Sequence, residues 1–287
     1  MTFLRLSLSI VIFFAYTAKA DYIAITFDDL PSQADEEASE QYSINQKIIF
    51  TLNKHHAPAI GFVNESSLFI DDNVEKRISI LKLWINAGHT LGNHTYSHNF
   101  LSKTNIKNFE QDVVKGEKIS KKLMQKAGLK YKYFRHPYLD TGGSVEVRAE
   151  FEKFLTERNY IIAPVTVDVD DWVFDSKFLE NPKNKDQIIK EYLDHARSRL
   201  NISTINSGKI FGRNIKHILL LHVNLINTYA LDDLLNMIKE SGYSFITLDE
   251  ALTDKIYQEK EEYYGSAGSS WLFRYAYTKK IYDIEWE

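Results

Sequence analysis

Short runs rich in β-branched and aromatic residues alternate along this chain with longer amphipathic runs, and that order constrains the architecture more than any other feature. Residues 22–27, 59–63, 90–93, 132–135, 161–167, 218–222 and 244–247 read as strands. Between and after them, 39–54, 74–86, 106–127, 145–158, 185–201, 231–240 and 248–253 read as helices. The first helix carries Ile44, Ile48 and Leu52 on one stripe, and Gly88 and Gly242 stop two of the others. Alternating strands and helices predict a parallel sheet wrapped by helices, and about seven units favour a closed or nearly closed (β/α) barrel over a doubly wound open sheet. Functional residues in a barrel gather at the C-terminal ends of its strands.

Two segments lie outside this pattern. At the start, Arg5, an apolar run over 6–16 and the small-x-small sequence Ala18-Lys19-Ala20 read as a secretory signal cleaved before Asp21. The run is too short for a spanning helix, which needs roughly 20 apolar residues, and no later stretch is long and apolar enough. The chain is therefore expected to be exported, periplasmic or secreted, with no membrane span once residues 1–20 are removed. After about Thr253 the composition turns to Glu and Lys, then to Gly and Ser, then to aromatics. Residues 21–253 read as the barrel and 254–287 as an extension packed on it.

Composition narrows the chemistry. The 287 residues include no Cys, which excludes a disulfide framework, a thiol nucleophile and a Cys-ligated zinc, so any metal must be held by nitrogen and oxygen donors. Nine His are the candidates. Without Arg5 and Lys19 the chain carries 33 bases against 39 acids, so it lacks the basic excess that holds nucleic acid. The 12 Gly are scattered, with no phosphate-cradling loop of dinucleotide or P-loop type. Nothing in the sequence sets an oligomeric state.

Polar clusters stand at five expected strand ends. The first strand ends in Thr26-Phe27-Asp28-Asp29, a pair that could equally cap the next helix. The third ends in His94-Thr95-Tyr96-Ser97-His98; on one helical turn, imidazoles four residues apart share a face and can reach one ion. One Asp and two His would leave coordination open for water, as a hydrolytic metal site requires. Arg135-His136-Pro137-Tyr138 follows the fourth strand, Asp168-Val169-Asp170-Asp171-Trp172 the fifth, and Leu220-Leu221-His222 closes the sixth. Strand alternation puts Leu220 and His222 on one side. A lone His in an apolar strand is ordinarily a hydrogen-bonded core residue, but here it shares the barrel mouth with four other clusters.

Taken in order, these five clusters resemble the motifs of the polysaccharide deacetylases, carbohydrate esterase family 4, over residues 21–253. The resemblance implies a distorted (β/α) barrel and a divalent-metal hydrolase that removes N-acetyl, or sometimes O-acetyl, groups from a glycan. It implies Asp29, His94 and His98 as metal ligands and Asp28 as general base, with Arg135 pairing with that base. His222 becomes the general acid, with Asp171 as its partner. The backbone N–H of Tyr138 holds the oxyanion, and Trp172 and Leu220 wall the acetyl methyl. An Asp-His-His set suits zinc, and cobalt or nickel fit the same donors. His136 stands where many relatives have Pro, and contact with glycan or simple packing both remain open for it. Tyr96 and Trp172 lie within motifs where rings can stack on sugars.

The expected substrate is N-acetylglucosamine-type residues of a glycan such as peptidoglycan or chitin oligomers. Two other readings stay open: an O-acetyl esterase on the same barrel, and a glycan-binding protein without chemistry. The presence of both Asp28 and His222 speaks against the second.

Overall fold

The computed structural model describes residues 21–33, 37–265, 268 and 270–286. Residues 1–20, read above as an export signal, lie outside the described residues. The chain runs β1 (Asp21–Leu30), α1 (Ala38–Lys54), β2 (Ala59–Val63), α2 (Val74–Asn86) and β3 (Thr90–Asn93), then α3 (Ile106–Lys115) and α4 (Ser120–Lys126). Next come β4 (Tyr133–Phe134), α5 (Val145–Glu157), β5 (Ile161–Ile162), β6 (Val167–Asp168), α6 (Asp171–Glu180), α7 (Lys185–Phe211) and β7 (His217–His222). The chain closes with α8 (Leu225–Glu240), β8 (Tyr243–Ile246), α9 (Leu248–Ala251) and α10 (Trp271–Lys279). No helix of the described residues is long and apolar enough to cross a membrane.

The sheet follows the order β5-β4-β3-β2-β1-β7-β6, with β8 paired to the first residues of β1, and its pairs are parallel. This is the expected distorted (β/α) barrel, a curled sheet flanked by helices. Central β1 is buried on both faces from Ile23 to Phe27, as a parallel strand covered on both sides must be. The stripe Ile44, Ile48 and Leu52 of α1 is fully packed into the main core beside Ile80, Leu81 and Trp84 of α2.

The expected strand 161–167 is two strands on opposite edges. Ile161 and Ile162 pair with β4, whereas Val167 and Asp168 pair with β7. Between them Pro164 offers no N–H to a ladder, and the chain crosses the seam of the barrel with Ala163 N–H donating to Phe134 O (2.8 Å) and Thr166 N–H to Ile218 O (2.9 Å). The backbone itself bridges the gap.

Four helix boundaries also differ from expectation. The single helix expected over 106–127 breaks at Gly116, where a Cβ would lie 2.4 Å from the Thr95 carbonyl carbon and 2.6 Å from Tyr96 N. Only glycine lets this turn press against the His94–His98 loop. Helix α6 starts at Asp171, inside the polar cluster read as a strand end. α7 continues to Phe211, stopped by Gly212 at φ 68°. α8 starts six residues earlier than expected, capped by Asn224, whose side chain accepts from Asn227 N. In the C-terminal segment, α10 sets Trp271, Leu272 and Tyr275 against Ile215 and Ile256.

Candidate active site

Strand β1 delivers two carboxylates to one place. Successive strand residues ordinarily point to opposite faces, but the β1–β2 register shifts between Phe27 and Leu30, and Asp29 adopts φ 62°. That irregularity turns Asp29 so that its Oδ1 lies 3.5 Å from His94 Nε2, while Asp28 Oδ2 lies 3.7 Å from the same nitrogen. Asp29 Oδ1 is also 3.3 Å from His98 Nε2.

The two histidines meet in a loop and not on a helical turn as the four-residue spacing had implied. Thr95 and His98 take φ 67° and 54°. Asn93 Oδ1 accepts from Thr95 N (2.7 Å), and Asp112 accepts from Ser97 N (2.9 Å) and Ser97 Oγ (2.8 Å), so side chains outside the loop hold its shape. His94 donates its Nδ1–H to Arg135 O (2.8 Å), which leaves the Nε2 lone pair facing Asp29.

These residues fit a metal ion. One ligand atom each from Asp29, His94 and His98 lie within 4.8 Å of one another. Asp29 Oδ1 is buried with no hydrogen-bond partner, an arrangement that is costly unless a cation takes the lone pair. Burial and the neighbouring His98 hold the His94 pKa well below the usual imidazole range; burial also lowers that of His98, against the opposing pull of Asp29. Both rings are therefore neutral donors near pH 7.

Asp28 sits beside this set. Burial raises its carboxyl to about 6, and Arg135 is the largest influence working against that rise. Arg135 is itself buried: Nη1 lies 3.4 Å from both Asp28 oxygens, Nη2 donates to Thr26 Oγ1 (3.0 Å) and Nε to Ala163 O (2.8 Å). One guanidinium thus ties β1 to the seam.

Across the mouth, β7 brings His222 into register with Asp28 itself. His222 Nδ1–H donates to Asp171 Oδ1 (2.6 Å), and Asp171 Oδ2 accepts from His222 N (2.7 Å) and Asn227 Nδ2 (2.6 Å). Burial alone would lower the imidazole pKa, but Asp171, aided by Asp29 and Asp28, overrides it and lifts His222 to about 10. Of the three crowded acids, Asp171 is the partner. Asp168 Oδ1 accepts from Asp170 N, and Asp170 accepts from His195 Nε2 (2.9 Å).

A cavity of about 320 Å³ joins these groups, with Asp28, Asp29, His94, His98 and His222 on one part of its lining and Tyr138, Leu139, Trp172 and Leu220 on another. Leu220 packs with Leu139 and Val165, whereas the Trp172 side chain is half exposed. Tyr138 takes φ 57° and stacks on Phe100 at 3.7 Å. The Tyr96 ring is covered by Lys115 Nζ at 3.5 Å. A larger cavity of about 540 Å³ opens near the seam, away from the carboxylate–imidazole cluster. His136 lines that one and packs edge-on against Phe134 and Phe151.

The polysaccharide deacetylase family profile matches residues 15–153. Over those residues, just under half of its length, the chain is similar to the polysaccharide deacetylases. A peptidoglycan-N-acetylglucosamine deacetylase of Bacillus cereus is 32% identical over 163 residues, 55% of this chain and 50% of that protein. The peptidoglycan-N-acetylglucosamine deacetylase PgdA of Listeria monocytogenes is 25% identical over 247 residues, 86% of this chain and 42% of its own length. The chain thus spans half or less of these curated relatives. In fold it is similar to a CE4 family pseudoenzyme from Bacillus anthracis, with TM-score 0.57 and 18% identity over 82% of this chain and 66% of that one. Since the family's fold also carries a pseudoenzyme, the chemistry must be argued from side chains.

The five sequence clusters meet at this one mouth. Sequence reasoning gave Thr26 no role of its own and did not single out Asn224 and Asn227. The two asparagines carry a signal, an N-cap spaced three residues from its partner, that sets the helix start ahead of the apolar stripe beginning at Leu231.

Proposed function

We propose that the chain is a metal-dependent deacetylase that hydrolyses N-acetyl groups of N-acetylglucosamine-type residues in a glycan such as peptidoglycan or chitin oligomers. The observation that carries this reading is the register pairing of Asp28 with His222 across β1 and β7, with the Asp29, His94 and His98 donors beside them. It supplies an acid and a base around one reacting centre, which a glycan-binding protein would not require. The names of the Bacillus and Listeria relatives specify peptidoglycan, and the apolar run over 6–16 supports export to the periplasm or medium.

A divalent ion held by Asp29, His94 and His98, zinc being well suited to this donor set, would polarise the acetyl carbonyl and lower the pKa of water. Asp28, ionised near neutral pH and oriented by Arg135, takes the proton from the attacking water. The backbone N–H of Tyr138 donates to the developing oxyanion. His222, held as imidazolium by Asp171, gives its proton to the departing amine, a poor leaving group until protonated. Leu220 and Trp172 exclude water around the acetyl methyl.

Acetate release from N-acetylglucosamine oligomers and from peptidoglycan, with and without chelator, tests the reading. Activity should vanish on chelation and return with zinc. Turnover indifferent to chelation would refute the metal assignment, and release from O-acetyl substrates alone would make the protein an esterase.

A further inference from the structure

The loop that carries the Tyr138 amide is held in an unfavourable shape by the far end of the chain. Tyr138 and Leu139 are consecutive non-glycine residues in the left-handed region, at φ 57° and 53°. A side chain bearing a Cβ resists that conformation, so such a pair persists only where neighbours over-determine it. One neighbour is local: Asp140 Oδ2 accepts from Ser102 N (2.9 Å) and Ser102 Oγ (2.8 Å). The others come from more than a hundred residues away. Gly268 N–H donates to Tyr138 O (2.9 Å), Arg274 Nη1 donates to Leu139 O (3.4 Å), and Thr141 N–H donates to Gly265 O (3.1 Å). The segment is anchored in turn by Trp271 N–H on Val165 O (2.6 Å) and by the packing of α10 on Ile215.

We propose that Gly265, Gly268 and Arg274 together form a positioning element for the reaction, a strap that fixes the Tyr138 amide and, through Leu139, the apolar pocket for the acyl methyl. This rests on the hydrolase reading above. Gly268 is the point of control. It takes φ +75° and lines the 320 Å³ cavity; a Cβ there would meet nothing within 4 Å, and Val and Asn add comparable bulk, so the contrast between the two reports backbone conformation. Asn tolerates the left-handed region, whereas a β-branched residue does not. The strap also holds Leu139 against Val165 and Leu220, so loosening it enlarges the pocket floor.

The test compares Gly268→Val with Gly268→Asn in the zinc-loaded full chain. Gly268→Val should lower kcat at least about 10-fold with KM nearly unchanged, since displacing a group near the reacting centre costs rate more than ground-state binding. It should also weaken the preference for acetyl over propionyl substrates. Gly268→Asn should keep both within about 2-fold. Zinc affinity, read by competition with a chromophoric chelator, should match wild type in both variants, and hydrogen exchange over 136–142 should quicken only in Gly268→Val. Arg274→Lys keeps a charge facing Glu261 but removes the Nη1 that donates to Leu139 O, and it should shift rate and selectivity in the same direction. If Gly268→Val and Arg274→Lys match an active wild type in rate, selectivity and exchange, the strap has no positioning role and the hydrolase reading stands. If wild type releases no acetate while exchange follows the expected pattern, the hydrolase reading fails and the strap's hold on the loop stands.

Discussion

Both oxygens of Asp171 are committed to His222: Oδ1 accepts the ring Nδ1–H at 2.6 Å and Oδ2 the backbone N–H at 2.7 Å. Asn227 adds a bond to Oδ2 and another to His222 O, so the carboxylate cannot rotate and the ring cannot flip. As the proposed acid, His222 must be protonated, so activity should be lost as pH rises through its pKa, which Asp171 lifts to about 10. Asp171→Asn should cut kcat by about 10²–10⁴ and bring the alkaline limb of the pH–rate profile down by several units. An unshifted limb would show that His222 does not titrate in turnover.

Arg135 should govern the opposite limb. As the proposed base, Asp28 must be ionised, so activity should be lost as pH falls through its pKa, about 6 without a bound cation and lower with one. In Arg135→Met the counter-charge disappears and the acid limb should move up. Removing one partner of this buried pair should also cost about 3–5 kcal/mol of stability, measured by urea unfolding. A limb that stays in place would mean that the guanidinium orients Asp28 without setting its charge.

Gly116→Ala should damage metal binding from a distance. Its Cβ would press on the Thr95 carbonyl and Tyr96 N, displacing the loop between the two candidate ligand histidines. Zinc affinity should fall about 10–100-fold, the scale of losses when a ligand's support is removed. Equilibrium dialysis against zinc measures it, and wild-type affinity in the variant would show that the loop adapts without cost.

Acid should destabilise the fold through three histidines outside the cluster. Burial lowers His89 to about 4, and His136 and His217 to about 3 each. The unfolded chain binds protons at these rings near pH 6.5 while the folded chain does not, so stability falls as pH drops from about 6.5 toward 4. Urea midpoints should decline over that window, and less steeply in His89→Asn, which retains an acceptor for Ala59 N–H, now bonded to His89 Nδ1 at 3.3 Å. Midpoints independent of pH would contradict the assignment.

Much of this architecture is written in local patterns. Strands β2 and β3 and helix α2 follow from β-branched runs and from Gly88, and the strand ends display Asp28, His94, Arg135 and His222 because a barrel presents its strand termini together. What the sequence conceals is backbone conformation. Asp29, Thr95, His98 and Tyr138 all take positive φ, yet none is glycine, and only Asp and His among them favour that region at all, so the residue types announce the turns weakly. Thr26 is likewise silent, a hydroxyl inside an apolar strand whose role arises only when Leu219 O and Arg135 arrive beside it. The seam is marked in the sequence only by Pro164 within the β-branched stretch 161–167, whose two ends pair with different neighbours.

That seam has a further consequence, for how the protein behaves in company. An open sheet ordinarily ends in strands whose unpaired backbone recruits other chains, and long flat edges are where aggregation starts. Here the edge strands β5 and β6 are two residues each, the stretch between them is bonded to Phe134 and Ile218, and Val165 O is taken by Trp271 N–H. A second molecule finds little ladder to extend, so the sheet edge offers a poor template for pairing with another copy of the chain.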